Sequence, residues 1–448
     1  MTSALDSWIE QQYRYAAGGM RRSISAVGLV KTRPGFGQVI RPQRGSVIAS
    51  PVLGAYDPDP DYFFHWYRDS AVVMDALRVL FEDRTVGSEA VDELDDFIRF
   101  SSTLQQLDGR QLVSSADWRR HVTPDFERHL RAASELAEIH GERVAADTRV
   151  NPDATLDVSK WARPQNDGPP LRAITLLRWL QSLDRPAQAV AFDTERRAAL
   201  EGLLRDDLAF AYRHWRSPCY DVWEEENGLH YFTLRVAAAA LTQGAEWLAV
   251  QGDNDTAHAY RRDAETILQR LDQYWLPAQG YYRSRVLEGG ARSAKELDVT
   301  VILAAVYADG SGPRHSVHDE RQQATLSKLE AHFGDEYAIN HHRAAGLAVA
   351  LGRYPDDRYF SGNPWYLTTL GAAEFCFRGS IGAPEAQALR AQGDAFLETV
   401  RAYTPASGDM SEQFDRATGT PLSAKQLAWS YAAFITCIAA RRRAVAPS

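Results

Sequence analysis

Two kinds of apolar pattern alternate along the chain. Residues 3–17 carry Leu5, Trp8, Ile9 and Ala16 on one helical face, and 89–106 read as a further helix. Residues 193–215 put Leu200, Leu204, Leu208, Ala211 and Trp215 in line, and 257–275, 322–333 and 385–400 are one-sided in the same way. Between these segments, 71–80, 171–183, 232–250, 299–307, 367–377 and a last run reaching about residue 440 are dominated by apolar residues. A helix apolar on all sides must be buried on all sides. The pattern therefore predicts an all-α fold of about twelve helices in two concentric layers, an (α/α)6 barrel. Consecutive helices with short connections run antiparallel, so the inner helices point one way and their N-termini share one rim. Gly18-Gly19 should weaken the first helix, and a helix is expected around 126–140 within the polar stretch 113–146. Residues 27–60 read as loop with short strands, and Gly280-Tyr281-Tyr282 as a turn. Ser423 and Gln426 are spaced as a capping box, with Leu422 and Leu427 as its staple, at the start of the last helix.

The segments that precede the inner helices are polar and aromatic. Tyr62-Phe63-Phe64-His65-Trp66-Tyr67-Arg68-Asp69 places an Arg–Asp pair among rings, a combination that can hold sugar hydroxyls while ring faces pack on C–H surfaces. Trp161 to Pro169 is a Pro-punctuated loop, and Gly352-Arg353-Tyr354-Pro355 leads to Gly362-Asn363-Pro364-Trp365. Trp223-Glu224-Glu225-Glu226 sets three consecutive carboxylates after an indole. Because successive residues point in different directions, one can face a cavity while its neighbours do other work. Ser411-Glu412-Gln413 brings a second carboxylate to the same expected rim, which collects Arg68, Asp69, Trp161, Arg163, Glu224, Arg353, Trp365 and Glu412. Paired carboxyl groups in a pocket of Trp, Tyr, Arg and Asp suit glycoside hydrolysis, with one protonating the leaving oxygen and the other activating water or attacking carbon.

Composition narrows the classes. The 448 residues are 45% hydrophobic and 24% charged, with net charge −9, which argues against nucleic-acid and anionic-membrane partners. No apolar run reaches the length of a membrane span. Cys219, Cys376 and Cys437 show no metal-ligand spacing and fit buried reduced thiols. With no secretory signal visible at the N-terminus, a cytoplasmic monomer is expected. Neither a metal nor a cofactor is expected, since the twelve His show no HExxH arrangement and no nucleotide-binding fingerprint is present.

Together the stretches Ile48-Ala49-Ser50-Pro51, Asp61 to Ser70, Trp161 to Ala173, Tyr220 to Asn227, Gly352 to Asp357, Gly362 to Trp365, Ser411 to Gln413 and Trp429 to Ala433 resemble the glucoamylases of glycoside hydrolase family 15. The resemblance implies a single (α/α)6 catalytic domain over 1–448 and an inverting, exo-acting α-glucosidase that releases β-glucose from the non-reducing ends of soluble α-1,4-glucans. By position Glu224 corresponds to the general acid and Glu412 to the base. Glu225 corresponds to a substrate-binding carboxylate, and Arg68 and Asp69 to the residues that hold the terminal glucose. Tyr62, Trp66, Trp161, Trp223, Arg353, Trp365 and Trp429 line the pocket in the same comparison. The partner is an oligosaccharide or polysaccharide substrate. No starch-binding domain is expected, and raw granular starch is not the expected substrate. Residues 113–146 depart from the family pattern, which leaves linkage open, because the family also includes enzymes acting on α-1,6-glucans and on trehalose. A phosphorolytic relative would need no Glu at position 412, and a silent sugar-binding protein would lack Glu224 or Glu412.

Overall fold

The computed structural model describes residues 4–54, 60–185 and 192–446. Ser3 and residues 55–59, which fall in the first expected helix and the first expected loop, lie outside them, as does Ser448. Twelve helices make the barrel: α1 (Ala4–Arg21), α2 (Tyr67–Glu82), α3 (Glu89–Leu104), α4 (Gly168–Leu183), α5 (Thr194–His214), α6 (Tyr231–Val250), α7 (Asn254–Asp272), α8 (Thr300–Tyr307), α9 (Glu320–Glu336), α10 (Tyr366–Gly379), α11 (Ala386–Tyr403) and α12 (Ala428–Val445). The even-numbered helices pack in sequence, α2 on α4, α4 on α6, α6 on α8, α8 on α10 and α10 on α12, and α12 returns to α2 to close the ring. They are the near-uniformly apolar segments of the chain, and their residues are buried almost throughout. The odd-numbered helices lie outside with one buried face each. On α1, for example, Leu5, Ile9, Tyr13 and Ala16 are buried.

The two layers start differently. Asp193, Asp253 and Asp319 cap α5, α7 and α9, accepting backbone N–H donors of the first turn. No N-cap residue of the six inner helices makes a side-chain cap bond, although at α8 Asp298, one residue earlier, accepts the Thr300 amide at 2.8 Å. Their N-termini meet the rim loops, so the positive ends of six helix dipoles gather where the carboxylates are. Ion pairs tie neighbouring inner helices together, with Arg178 of α4 donating to Asp75 of α2 at 2.6 Å and Arg378 of α10 to Asp309, just past α8, at 2.5 Å. Small antiparallel sheets stiffen the connections. One pairs Cys219–Tyr220 with Asn227–His230, and Arg285–Leu287 adds to it as a third strand.

Four local expectations are corrected. First, α1 runs through Gly18-Gly19 to Arg21. Gly19 is the point where α1 meets α12, and a Cβ there would lie 2.9 Å from the Tyr431 ring. Second, the helix expected around 126–140 is a 3-10 turn (Pro124–His129) and one short helix (Ala133–Ala137). The Arg131 N–H donates to Val158 O at 2.9 Å and Leu130 bridges to Ser159, so this backbone pairs sideways rather than along a helix. Third, the last helix begins at Ala428, with Leu427 as its uncapped first flank. Ser423 and Gln426 are both left-handed, at φ 61° and 50°, and Leu422 pairs as a strand with Gln413. Fourth, the segment before α8 joins the rim loops expected before the other inner helices, since Asp298 there reaches the pocket wall by accepting from the Trp223 indole. The turn at Gly280 is present, with Tyr281–Tyr282 continuing as a strand.

Gly18 and Gly19 make a paired test. Gly18→Ala meets nothing within 4 Å and should stabilise the protein by about 0.5–1 kcal/mol, because alanine loses less backbone freedom. Gly19→Leu should destabilise it by about 1–3 kcal/mol through overpacking against Tyr431. Urea midpoints of the two variants check both signs.

Candidate active site

The loop from Asp221 to Glu226 turns within one antiparallel hairpin. Asp221 organises it: its Oδ1 accepts the amides of Glu225 and Glu226 at 2.7 and 2.9 Å, and its backbone carbonyl accepts the Glu224 amide at 2.9 Å. Burial opposes ionisation of Asp221. Arg285, donating to its Oδ2 at 3.0 Å, and the two amides nevertheless hold its carboxyl below the ordinary range. Glu224 is thereby set in the left-handed region at φ 65°, and the three glutamates separate. Glu226 turns to Arg285 and Ser293. Glu225 accepts from Arg353 at 3.0 Å, from Lys295 at 2.7 Å and from the Tyr354 hydroxyl. Glu224 faces a cavity of about 830 Å³. There its Oε1 accepts from the Trp66 indole at 2.7 Å and from Arg68 at 3.2 Å, and its Oε2 accepts from the Trp161 indole.

Glu412 enters the same cavity from the far end of the chain. It is held by hydroxyls, with Tyr62 donating to Oε1 at 2.8 Å and Ser423 to Oε2 at 2.5 Å. Gln413 adds a weaker bond at 3.2 Å. Burial pushes the Glu412 carboxyl up to about 7, and the Ser423 and Tyr62 hydrogen bonds and the Arg353 charge moderate that rise. The residue read as a helix cap is thus a donor to the second carboxylate, and the left-handed backbone at Ser423 is what aims its hydroxyl inward.

All the site residues named from the sequence line this one cavity: Tyr62, Trp66, Arg68 and Asp69 from the start of α2, Trp161, Trp223, Glu224 and Glu225 from the loops before α4 and α6, and Arg353, Trp365, Glu412 and Trp429 from the last third of the chain. Arg163 is the exception among the expected rim residues, since it turns away to Asp147 and Asp157. Arg68 donates to Gln165 at 2.8 Å and lies within 3.5 Å of Asp69, Asp167 and Glu224. Burial raises Asp69 to about 6 against the pull of Arg68. Arg353 is fixed by Asp357 at 2.7 Å, with the rings of Trp223, Trp365 and Tyr359 about it. The Trp223 indole donates to Asp298 at 3.0 Å, and the Trp429 indole to the Tyr307 hydroxyl at 2.6 Å.

The model of the family "Glycosyl hydrolases family 15" matches residues 35–384 and 380–439. The chain belongs to that family. Proteins similar to it include "Probable glucoamylase" of Schizosaccharomyces pombe, 29% identical over 99% of this chain and 93% of the relative. "Glucoamylase 1" of Rhizopus oryzae is 27% identical over 99% of this chain and 72% of the relative. Among solved structures, the family 15 glucoamylase from Hypocrea jecorina superposes with a TM-score of 0.78 at 26% identity, covering 99% of this chain and 74% of that one. The family 15 chain described here is a glycoside hydrolase.

Sequence reasoning missed several residues of this family 15 site. Tyr359 shares a 2.9 Å contact between hydroxyl oxygens with Tyr62 and lines the cavity, and its place two residues past Asp357 was the available signal. Lys295 and Asp298 come from a stretch with no aromatic marker, and nothing in their spacing or in that of Arg285 points to the Glu triplet.

The buried Glu412 carboxyl has a pH consequence. Its proton-linked contribution to stability is fully present below the ordinary glutamate value and is lost as pH rises to about 7. Glu412→Gln should therefore gain stability relative to the parent between pH 4.5 and pH 8, by about 3 kcal/mol. Denaturant titrations at the two pH values check it, and an equal ΔΔG at both would contradict the burial of a titrating carboxylate.

Proposed function

We propose that the protein is an inverting, exo-acting α-glucosidase that releases β-glucose from the non-reducing ends of soluble α-1,4-glucans and malto-oligosaccharides. The observation that carries this reading is the different company of two carboxyl groups in one cavity. Glu224 is oriented by Trp66, Arg68 and Trp161, and Glu412 by Tyr62 and Ser423. Glucoamylases among the relatives support the substrate class.

In this mechanism Glu224 is protonated when substrate enters and gives its proton to the glycosidic oxygen. The C1–O bond breaks as a water attacks C1 from the opposite face, and Glu412 takes the proton of that water. The products are glucose with inverted configuration and a glucan shortened by one unit. A proton passed from Glu412 to solvent and another taken up at Glu224 restore the resting state. A base is best placed with a pKa near the working pH, and burial of Glu412 serves that requirement. Arg68 and Asp69 offer donor and acceptor to the outer hydroxyls of the terminal glucose, while Trp66 and Trp429 supply ring faces for its C–H surfaces. Glu225, already anchored by Arg353 and Lys295, presents a fixed acceptor beside the acid. The proposal includes action in the cytoplasm as a monomer.

Proton NMR of freshly released sugar from maltose, maltotriose, isomaltose, trehalose and soluble starch tests the reading and ranks the linkages. β-Glucose from the malto-oligosaccharides is the expected outcome, and α-glucose overturns the inverting assignment. Glu224→Gln should lower kcat by about 10²–10⁴-fold with little change in ligand affinity, and Glu412→Ala should lose hydrolysis to a similar extent. Near-parent turnover by either variant removes that residue from its role.

A further inference from the structure

We propose that the Tyr359 hydroxyl is a positioning group for the second carboxylate: by donating to the Tyr62 oxygen it commits the single hydroxyl proton of Tyr62 to Glu412. The oxygens stand in a chain. The Tyr62 hydroxyl is 2.8 Å from Glu412 Oε1 and 2.9 Å from the Tyr359 hydroxyl. A phenol has one hydrogen to give, and an ionised carboxylate can only accept. With Glu412 ionised, the Tyr62 hydrogen therefore lies toward Oε1. The contact between the two phenols then needs the hydrogen of Tyr359, and the order from Tyr359 to Tyr62 to Glu412 is fixed. Both phenols keep their hydrogens, because burial, followed by the Glu412 charge, raises each hydroxyl above the ordinary tyrosine range.

The backbone holds Tyr359 in place for this role. Its amide donates to Asp357 Oδ1 at 2.9 Å, on the carboxylate that also fixes Arg353. Its ring packs edge-on against Phe360 at 4.9 Å, and the Arg353 guanidinium lies 5.2 Å from the ring centre. Phe360 and Ser361 follow in left-handed backbone, at φ 50° and 72°. Strain of that kind persists where the surroundings over-determine it. The titratable and charged groups that face Glu412 are Tyr62, Tyr359 and Arg353, and Arg68, Asp69, Glu224 and Glu225 line the same cavity. A hydroxyl that receives a hydrogen bond donates a stronger one. Tyr359 thus strengthens the bond from Tyr62 to the charged carboxylate and offsets part of the rise that burial imposes on Glu412. In turnover this sets the pH below which the base is lost. That consequence rests on the reading of Glu412 as the base, whereas the effect on its ionisation does not.

Carbon NMR of the full chain, labelled at the glutamate carboxyls, reads the ionisation of Glu412 directly, and its resonance is the one missing from Glu412→Gln. Tyr359→Phe should raise the Glu412 midpoint by about 0.5–1 pH unit. Tyr62→Phe should raise it at least as much. Tyr359→Phe added to Tyr62→Phe should change it no further, because the chain is already cut. An unmoved or lowered midpoint in Tyr359→Phe overturns the proposal, and so does an equal rise in the Tyr62→Phe background. The acidic limb of kcat/KM for maltotriose should move up with the resonance in Tyr359→Phe. A resonance that moves while the limb stays keeps the role of Tyr359 and counts against Glu412 as the base. A limb that coincides with an unmoved resonance keeps the base and overturns the role of Tyr359.

Discussion

The Asp221–Arg285 ion pair is the constraint from which the site is built. Asp221 collects two amides and a guanidinium, and by doing so forces the residue after Trp223 into a left-handed turn that side chains rarely adopt. That single backbone choice sends three adjacent carboxylates to three environments. Without it, Glu224, Glu225 and Glu226 would repel one another in one place. With it, each finds its own cations or donors, and the repulsion is spread over Arg68, Arg353, Lys295 and Arg285. The second carboxylate is placed by the same device at another position, since the positive φ of Ser423 aims a hydroxyl at Glu412.

The barrel supplies what these loops need. Its inner helices are apolar nearly all round, and N-cap residues such as Trp66, His230 and Leu427 make no side-chain cap bond. Uncapped positive ends in a shared rim favour negative groups there. In a chain of net charge −9, the pocket can therefore hold several carboxylates within one cavity.

The layered architecture was legible because burial on all sides has a signature in single segments, as in 232–250, that needs no partner to be recognised. The site residues were legible because Trp66, Arg68, Glu224, Arg353 and Glu412 sit in dense aromatic-polar motifs. What escaped was set by contacts between distant segments. Gly19 reads as a helix breaker until Tyr431 is seen beside it. Ser423 and Gln426 have the spacing of a cap, but strand pairing of Leu422 with Gln413 and the demand of Glu412 for a donor win over local preference. Around Arg131, sideways pairing to Val158 defeats a helical pattern in the same way. Lys295 carries no motif at all, and its role exists only because Glu225 is folded toward it.

The ring of inner helices has a directional consequence for synthesis. Its last stave, α12, fits between α10 and α2 and also covers α1. Trp429 begins that stave, and Ser423 and Glu412 lie on the approach to it. On the ribosome, the wall carrying Tyr62 and Arg68 emerges about 340 residues before the wall carrying Glu412. A nascent chain therefore holds half a pocket until Glu412 and α12 follow, and the cavity becomes whole only in the step that closes the barrel.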